Sequence, residues 1–203
     1  IDVTFSPTSL STPLTGTTLY KINNGDVAVG DFTEDSNGSP SAFVNDPDTR
    51  VETFTQTMTL DASVPVGTPM EIFQALRRDA AKAAPDMEWD FPVTAGNDYE
   101  VRLYFAENTR CSVGARVFDV VLEDVVIHDD LDVFVEAGDA CDVGIMRSTT
   151  VTAGDANLDL DFPLVNDRPS MISAIEIIEL DGGTGTGPKT ADLNIEHDGT
   201  NGT

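Results

Sequence analysis

Asp98-Tyr-Glu-Val-Arg-Leu-Tyr-Phe-Ala-Glu107, then nine residues, then Val117-Phe-Asp-Val-Val121, is the stretch on which the fold turns. Tyr99, Val101, Leu103 and Phe105 alternate with Glu100, Arg102 and Tyr104. A period of two places the two sets on opposite faces of an extended chain, so the segment predicts a half-buried β-strand. A loop carrying Cys111 follows, and then a second strand that turns back at Glu123-Asp124.

The same reading extends in both directions. Strands are expected at 19–23, 53–60, 89–93, 116–127, 131–135, 144–151, 156–164 and 171–180, joined by short connections rich in Gly, Asn or Asp. Segment 25–50 reads as a long structured loop, because Phe32 and Phe43 need somewhere to pack or something to bind. The one expected helix covers 69–78, with Pro69 near its start, an alanine-rich extension over 80–84 and a stop at Pro85. Many regularly spaced strands with almost no helix predict an all-β sandwich. The domain is expected over 19–180, after a strand and linker over 1–18 and before a Gly/Thr-rich linker and tail over 181–203.

The chain has 203 residues, 40% of them hydrophobic, enough for a substantial core. Its net charge is −25, from 36 acids against 11 bases, and Asp outnumbers Glu 25 to 11 while only Lys21, Lys82 and Lys189 are lysines. Such a surplus repels itself in dilute buffer and is quenched at molar salt, where the Debye length falls to about 3 Å. The surface is therefore expected to be halophilic, of haloarchaeal type. Nucleic acid and anionic lipid headgroups are disfavoured as partners, and no basic patch interrupts the acid along the chain. No apolar run approaches a membrane span, no signal peptide is present and the chain starts at Ile1, so a mature or excised piece of a longer secreted or surface protein is expected.

Cys111 and Cys141 lie in expected loops. A disulfide is the expected state in an exported chain, with two free thiols as the alternative. Asn37-Gly-Ser39 and Asn201-Gly-Thr203 are glycosylation sequons. A nucleophile elbow, a phosphate-cradling loop and a zinc motif are all missing, and His128 reads as a turn residue rather than a base. Asp129 and Asp130 with Asp132 offer a weak calcium possibility without EF-hand spacing, and no cofactor is otherwise expected. Sugar binding asks for aromatic faces plus carboxylates or amides on loops held by a rigid scaffold. Phe32, Asp35, Phe43, Asn108, Arg110 and Asp167 supply those residue types.

Taken together, five ordered motifs resemble the malectin-type carbohydrate-binding domain. They are Leu19-Tyr-Lys-Ile-Asn-Asn-Gly25; Phe73-Gln-Ala-Leu-Arg77 with Met87-Glu-Trp-Asp-Phe-Pro-Val93; the segment quoted at the outset; Leu131-Asp-Val-Phe134 followed by Gly138; and Ile172-Ser-Ala-Ile-Glu-Ile177. The resemblance implies a jelly-roll-like sandwich that binds glycans through aromatic residues and an aspartate on loops at one edge. It carries that aspartate to Asp167, which precedes Arg168-Pro169, and carries the first-loop aromatic and acid to Phe32 and Asp35, with Phe43 as a second aromatic. Where the animal member places a Tyr-Phe pair after Phe-Ala-Glu, this chain has Thr109 and Arg110 and then Cys111, which removes stacking there. The expected function is a non-catalytic glycan-binding module whose partners are an oligosaccharide and other domains of the same longer chain. The alternative is a structural or adhesive module of a surface layer or filament.

Overall fold

A computed structural model describes residues 15–45, 48–80 and 86–182. Its strands are β1 (Gly16–Asn23), β2 (Thr33–Glu34), β3 (Thr49–Thr53), β4 (Thr59–Leu60), β5 (Ala75–Asp79), β6 (Met87–Pro92), β7 (Asp98–Phe105), β8 (Phe118–Leu122), β9 (Val125–Leu131), β10 (Val143–Thr152), β11 (Asn157–Phe162), β12 (Met171–Ile172) and β13 (Ala174–Leu180). They form a six-stranded sheet ordered β2-β1-β13-β7-β10-β4, a four-stranded sheet β6-β11-β8-β9 and a three-stranded sheet β12-β5-β3.

The strand read first, β7, lies between β13 and β10 and pairs antiparallel with both. Its Tyr99, Val101, Leu103 and Phe105 join Met87, Trp89 and Phe91 of β6, Phe118, Val120 and Leu122 of β8, and Leu158, Leu160 and Phe162 of β11 in one core. Two sheets closing on their apolar faces make the β-sandwich that the alternation predicts. The strand is not half-buried, however. Tyr104, on its other face, is buried with Phe32, Met58, Val64, Ile72 and Phe73 in a second cluster under the long loops. Its hydroxyl donates to Glu176 (2.8 Å), and burial together with that carboxylate pushes its pKa well above the usual tyrosine value. Arg102 pairs with Glu100 and Glu176, and Lys21 with Glu176, so the polar members of this face are tied to one another.

The turn at Glu123-Asp124 is as expected: both residues have positive φ (51° and 61°), the geometry of a tight hairpin whose twist matches its strands. Elsewhere the structure corrects the sequence reading. The expected helix over 69–78 is a 3-10 helix only over Met70–Gln74, and Ala75–Asp79 is the central strand of the small sheet. Pairing with β3 on one edge and β12 on the other overrides its helical propensity. The alanine-rich extension over 81–84 lies outside the described residues. The alternation over 53–60 gives strand only at its ends, β3 and β4. The expected strand over 131–135 is broken by Asp132, whose carboxylate accepts from the amides of Phe134 (3.1 Å) and Val135 (3.4 Å) and starts α1 (Val133–Glu136). Gly138, with φ +76°, turns the chain away after that helix. His128 lies half-buried in β9 rather than in a turn, and burial followed by Arg147 lowers its pKa. β1 starts at Gly16, so 16–18 belongs to the sandwich and not to a linker. The expected strand over 1–5, the rest of the linker up to 14 and the tail over 183–203 fall outside the described residues.

The outer face of the four-stranded sheet concentrates acid. The β6–β11 register sets Asp90 opposite Asp159 and Glu88 opposite Asp161. Like charges directly opposite across a ladder are destabilising. Burial first, then Glu88, Asp159, Asp90 and Asp124, push the Asp161 carboxyl up to about 6. Asp159 is raised as well, by burial and by its hydrogen bond with Asp90.

Candidate functional site

The site grows from the end of β7. After Phe105 the chain leaves the sheet at Ala106, and Glu107 folds inward with 1% of its surface exposed. One Glu107 oxygen accepts from the Thr109 amide (2.9 Å), the Arg110 amide (2.8 Å) and the Thr109 hydroxyl (3.1 Å), which curls the loop over the carboxylate. The other accepts from Arg116 Nε at 2.7 Å. Arg116 is also buried and donates through Nη1 to the Pro169 carbonyl (2.8 Å), so one ion pair joins the loop over 108–116 to the segment that precedes β12. Burial lowers the Arg116 pKa, and Glu107 opposes that shift.

Three further ties hold the same region. Cys111 and Cys141 form the disulfide, with Cα atoms 5.5 Å apart. Closing 30 residues of chain contributes about 3–4 kcal/mol by restricting the unfolded state. Asn166 donates to the Gly114 carbonyl (3.2 Å), and the Gly114 amide donates to Asp132 (2.6 Å). Between the loop and the segment before β12 lies an open cleft of about 580 Å³, lined by Thr109, Arg110, Cys111, Ser112, Gly114, Ala115, Asn166, Asp167 and Arg168.

The cleft brings together Thr109, Arg110 and Asp167 of the sequence-derived candidates and leaves the other four outside. Phe32 is buried against Tyr104, ring centroids 5.8 Å apart, with Lys21 over its face; it is a core residue and not an exposed stacking platform. Asp35 is fully buried, and Arg77 grips it with Nε and Nη2 at 2.5 Å each while the Ser41 amide donates at 2.7 Å. Its oxygens are committed to the scaffold. Phe43 is half-buried against Tyr20 and Phe91 and lines a separate cleft of about 410 Å³ with Leu19, Tyr20 and Asp31. Asn108 is buried, its amide directed at Asp142 (3.4 Å) and the Phe73 carbonyl (3.5 Å). Phe32, Asp35 and Asn108 are lost to the scaffold because loops over a sheet supply their own core and draw polar side chains into it.

The remaining candidates divide similarly. Asn37 is exposed, and its amide pairs with both backbone groups of Val51 (2.8 and 2.9 Å); Asn201 lies outside the described residues. The acidic group near β9 is Asp119 with Asp129 and Asp130, whose carboxylates lie within 4.8 Å of one another. Asp132 is not among them, because it caps α1 and holds Gly114.

Glu107, Arg116, Asn166 and Arg168 are the site residues that sequence reasoning passed over. Arg168 adjoins Asp167 in sequence and could have been found there. Glu107 was visible as a carboxylate closing an apolar strand. Nothing in the sequence linked it to Arg116 or Arg116 to Pro169, since these are contacts of the folded chain. The arginines also change the charge picture: Arg78, Arg110 and Arg116 line a second cleft of about 380 Å³ that shares Thr109 and Arg110 with the first. Although the linear sequence has no run of basic residues, the fold gathers these arginines with Glu52 at one edge.

The β-sandwich thus carries, at one edge, loops that enclose a polar cleft. The chain belongs to the Malectin domain family, whose model matches residues 18–185. Over 98 residues it is 31% identical to Receptor-like protein 4 of Arabidopsis thaliana, a match covering 47% of this chain and 16% of that protein. Similar solved structures share the fold at low identity. The plant peptide RALF23 complex with FER and LLG2 matches with a TM-score of 0.70 at 18% identity, over 84% of this chain and 52% of that one. The ANX1 ectodomain from Arabidopsis thaliana matches with a TM-score of 0.70 at 13% identity, over 81% and 48%. This chain thus spans about half the length of those structures and less of the curated relative.

Proposed function

We propose that this chain is a non-catalytic glycan-binding module of a secreted or cell-surface protein from a halophile, acting beside other domains of a longer chain. The observation that carries the reading is the cleft, where Thr109, Arg110 and Asp167, from two separate loops, face one volume at the edge of the sandwich. Asp167 accepts hydrogen bonds from sugar hydroxyls, and Arg110 donates them. Membership of a family of binding modules and a disulfide suited to an oxidising compartment support it. One shallow cleft holds one short glycan weakly, so repeated modules would supply avidity.

A glycan array at molar salt tests the reading. Binding to at least one saccharide class is expected, with Asp167→Ala weakening it roughly tenfold or more, since a charged hydrogen-bond partner is lost. Silence across the array accompanied by self-association would instead indicate a structural module of a surface layer or filament.

The halophilic part of the proposal rests on the acidic surface and is tested by melting. The folded state holds the Asp161 proton more tightly than the unfolded chain, because its pKa is raised from 3.8 to about 6. Its stabilising contribution is therefore complete below about pH 4 and is lost as pH rises through 6. Two units would correspond to about 3 kcal/mol, which solvent screening of a half-buried group reduces to about 1. Asp161→Asn is expected to raise the Tm at pH 7 in dilute buffer by about 2–4 °C. The gain should vanish at pH 4 and shrink at molar salt, where the wild-type Tm itself should rise. A wild-type Tm indifferent to salt would count against the halophilic surface.

A further inference from the structure

Among the described residues Lys21, Arg77, Arg78, Arg102, Arg116 and Arg147 are each ion-paired to a carboxylate. In a chain with 36 acids and 11 bases, that is the expected fate of a cation. Arg50, Arg110 and Arg168 are exceptions: all three are exposed, and among the described residues none of their guanidiniums has a carboxylate within salt-bridge distance. Arg50, on β3, lines neither cleft at the loop edge, whereas Arg110 and Arg168 line the same one. Arg110 also faces the adjoining cleft, with Arg78 and Arg116. Counting Glu52, Glu107, Asp132 and Asp167 against Arg78, Arg110, Arg116 and Arg168 leaves this edge neutral (4 − 4) in a chain of net −25.

Two unpaired guanidiniums at the mouth of a concave site focus the field onto an anionic group, and the planar fork matches a carboxylate or sulfate in two-pronged fashion. Asp167 at the same mouth repels a bare polyanion and accepts from hydroxyls. Among the described residues the lining contains no aromatic ring, so a neutral sugar would find no stacking face there. The ligand chemistry that satisfies all three conditions is a sugar ring bearing both hydroxyls and an anionic substituent. We infer that the cleft recognises acidic saccharides, with Arg110 and Arg168 reading the carboxylate or sulfate and Asp167 reading a hydroxyl. This rests on the glycan-binding reading above and specifies its ligand class.

Calorimetric titration at the lowest salt that keeps the protein folded, with four probes, separates the two claims. The probes are cellotetraose, an oligogalacturonate tetramer, a chondroitin sulfate tetrasaccharide and pentaglutamate. At least one acidic saccharide is expected to bind tenfold or more tightly than cellotetraose and than pentaglutamate, and whichever binds better identifies carboxylate or sulfate as the group read. The double variant Arg110→Gln, Arg168→Gln, exposed at both positions and checked for an unchanged Tm, should lose at least tenfold affinity for it. Added salt should weaken the wild type more than the variant. Cellotetraose bound as tightly as the acidic tetramers, with the double variant unaffected, would overturn this inference and leave the glycan reading standing. Pentaglutamate bound as tightly as an acidic saccharide would overturn the inference by removing the sugar from it. No binding of any probe would sink both.

Discussion

Asp35→Ala is expected to cost about 3–5 kcal/mol of stability, far more than the loss of an exposed carboxylate, because its partner is a buried cation. Asp35 is fully buried and Arg77 is 2% exposed, and the guanidinium meets the carboxylate through two nitrogens and the Thr49 hydroxyl through the third at 2.7 Å. Truncating Asp35 leaves that cation facing a cavity. It also removes the acceptor of the Ser41 amide, which shapes the loop between β2 and β3. Arg77 belongs to β5, the middle strand of its sheet, so the damage reaches both neighbouring pairings. Urea denaturation monitored by far-UV circular dichroism measures the loss. Asp35→Leu combined with Arg77→Met, which removes both charges at similar volume, should recover most of it. A single alanine variant within about 1 kcal/mol of wild type would show that the pair does not carry this load.

Glu107→Ala is expected to cost a similar amount, about 3–5 kcal/mol, and to disorganise the cleft as well. The carboxylate holds the Thr109 and Arg110 amides, and its partner Arg116 holds the Pro169 carbonyl. Losing it leaves the two walls joined by the Asn166 side chain on the Gly114 carbonyl and by the Val165 and Asn166 amides, which donate to the Val117 carbonyl (3.4 Å each). Amide hydrogen exchange reports this directly: Thr109 and Arg110 should lose protection far beyond the global change, and ligand affinity should fall although Glu107 lines no part of the cleft. Glu107→Gln keeps an acceptor for the two amides and should fall between wild type and alanine. Unchanged local protection in the alanine variant would rule out the positioning role.

The sandwich was legible because its evidence is local and periodic. The alternation over β7, the aspartate-bearing hairpin at Glu123-Asp124 and the ordered motifs from 19 to 180 each follow from neighbours in sequence. Reading failed where a distant partner decided the outcome. Ala75–Asp79 has helix-forming residues but is captured by two strands, and Arg77 within it answers to an aspartate 42 residues away. Phe32 and Asp35 have the composition of a binding loop. Only the fold reveals that Tyr104 and Arg77 claim them. Asp167, Thr109 and Arg110 were found by analogy of position, whereas the gathering of Arg78, Arg110, Arg116 and Arg168 at one edge has no linear trace.

The division between what braces the cleft and what faces it bears on how such a domain can change. Glu107 and Arg116 are buried and fix the two loops, while Arg110, Ser112, Asp167 and Arg168 stand exposed in front of them. Exchanging an exposed residue away from caps and pairs typically alters stability by no more than about 0.5 kcal/mol. Ligand choice can therefore drift through those four positions by single substitutions, each neutral to folding, while the bracing pair stays under a separate constraint. Relatives built on the same frame are free to read unrelated ligands, and the residues at the positions of Arg110 and Arg168 become the place to look when sorting them.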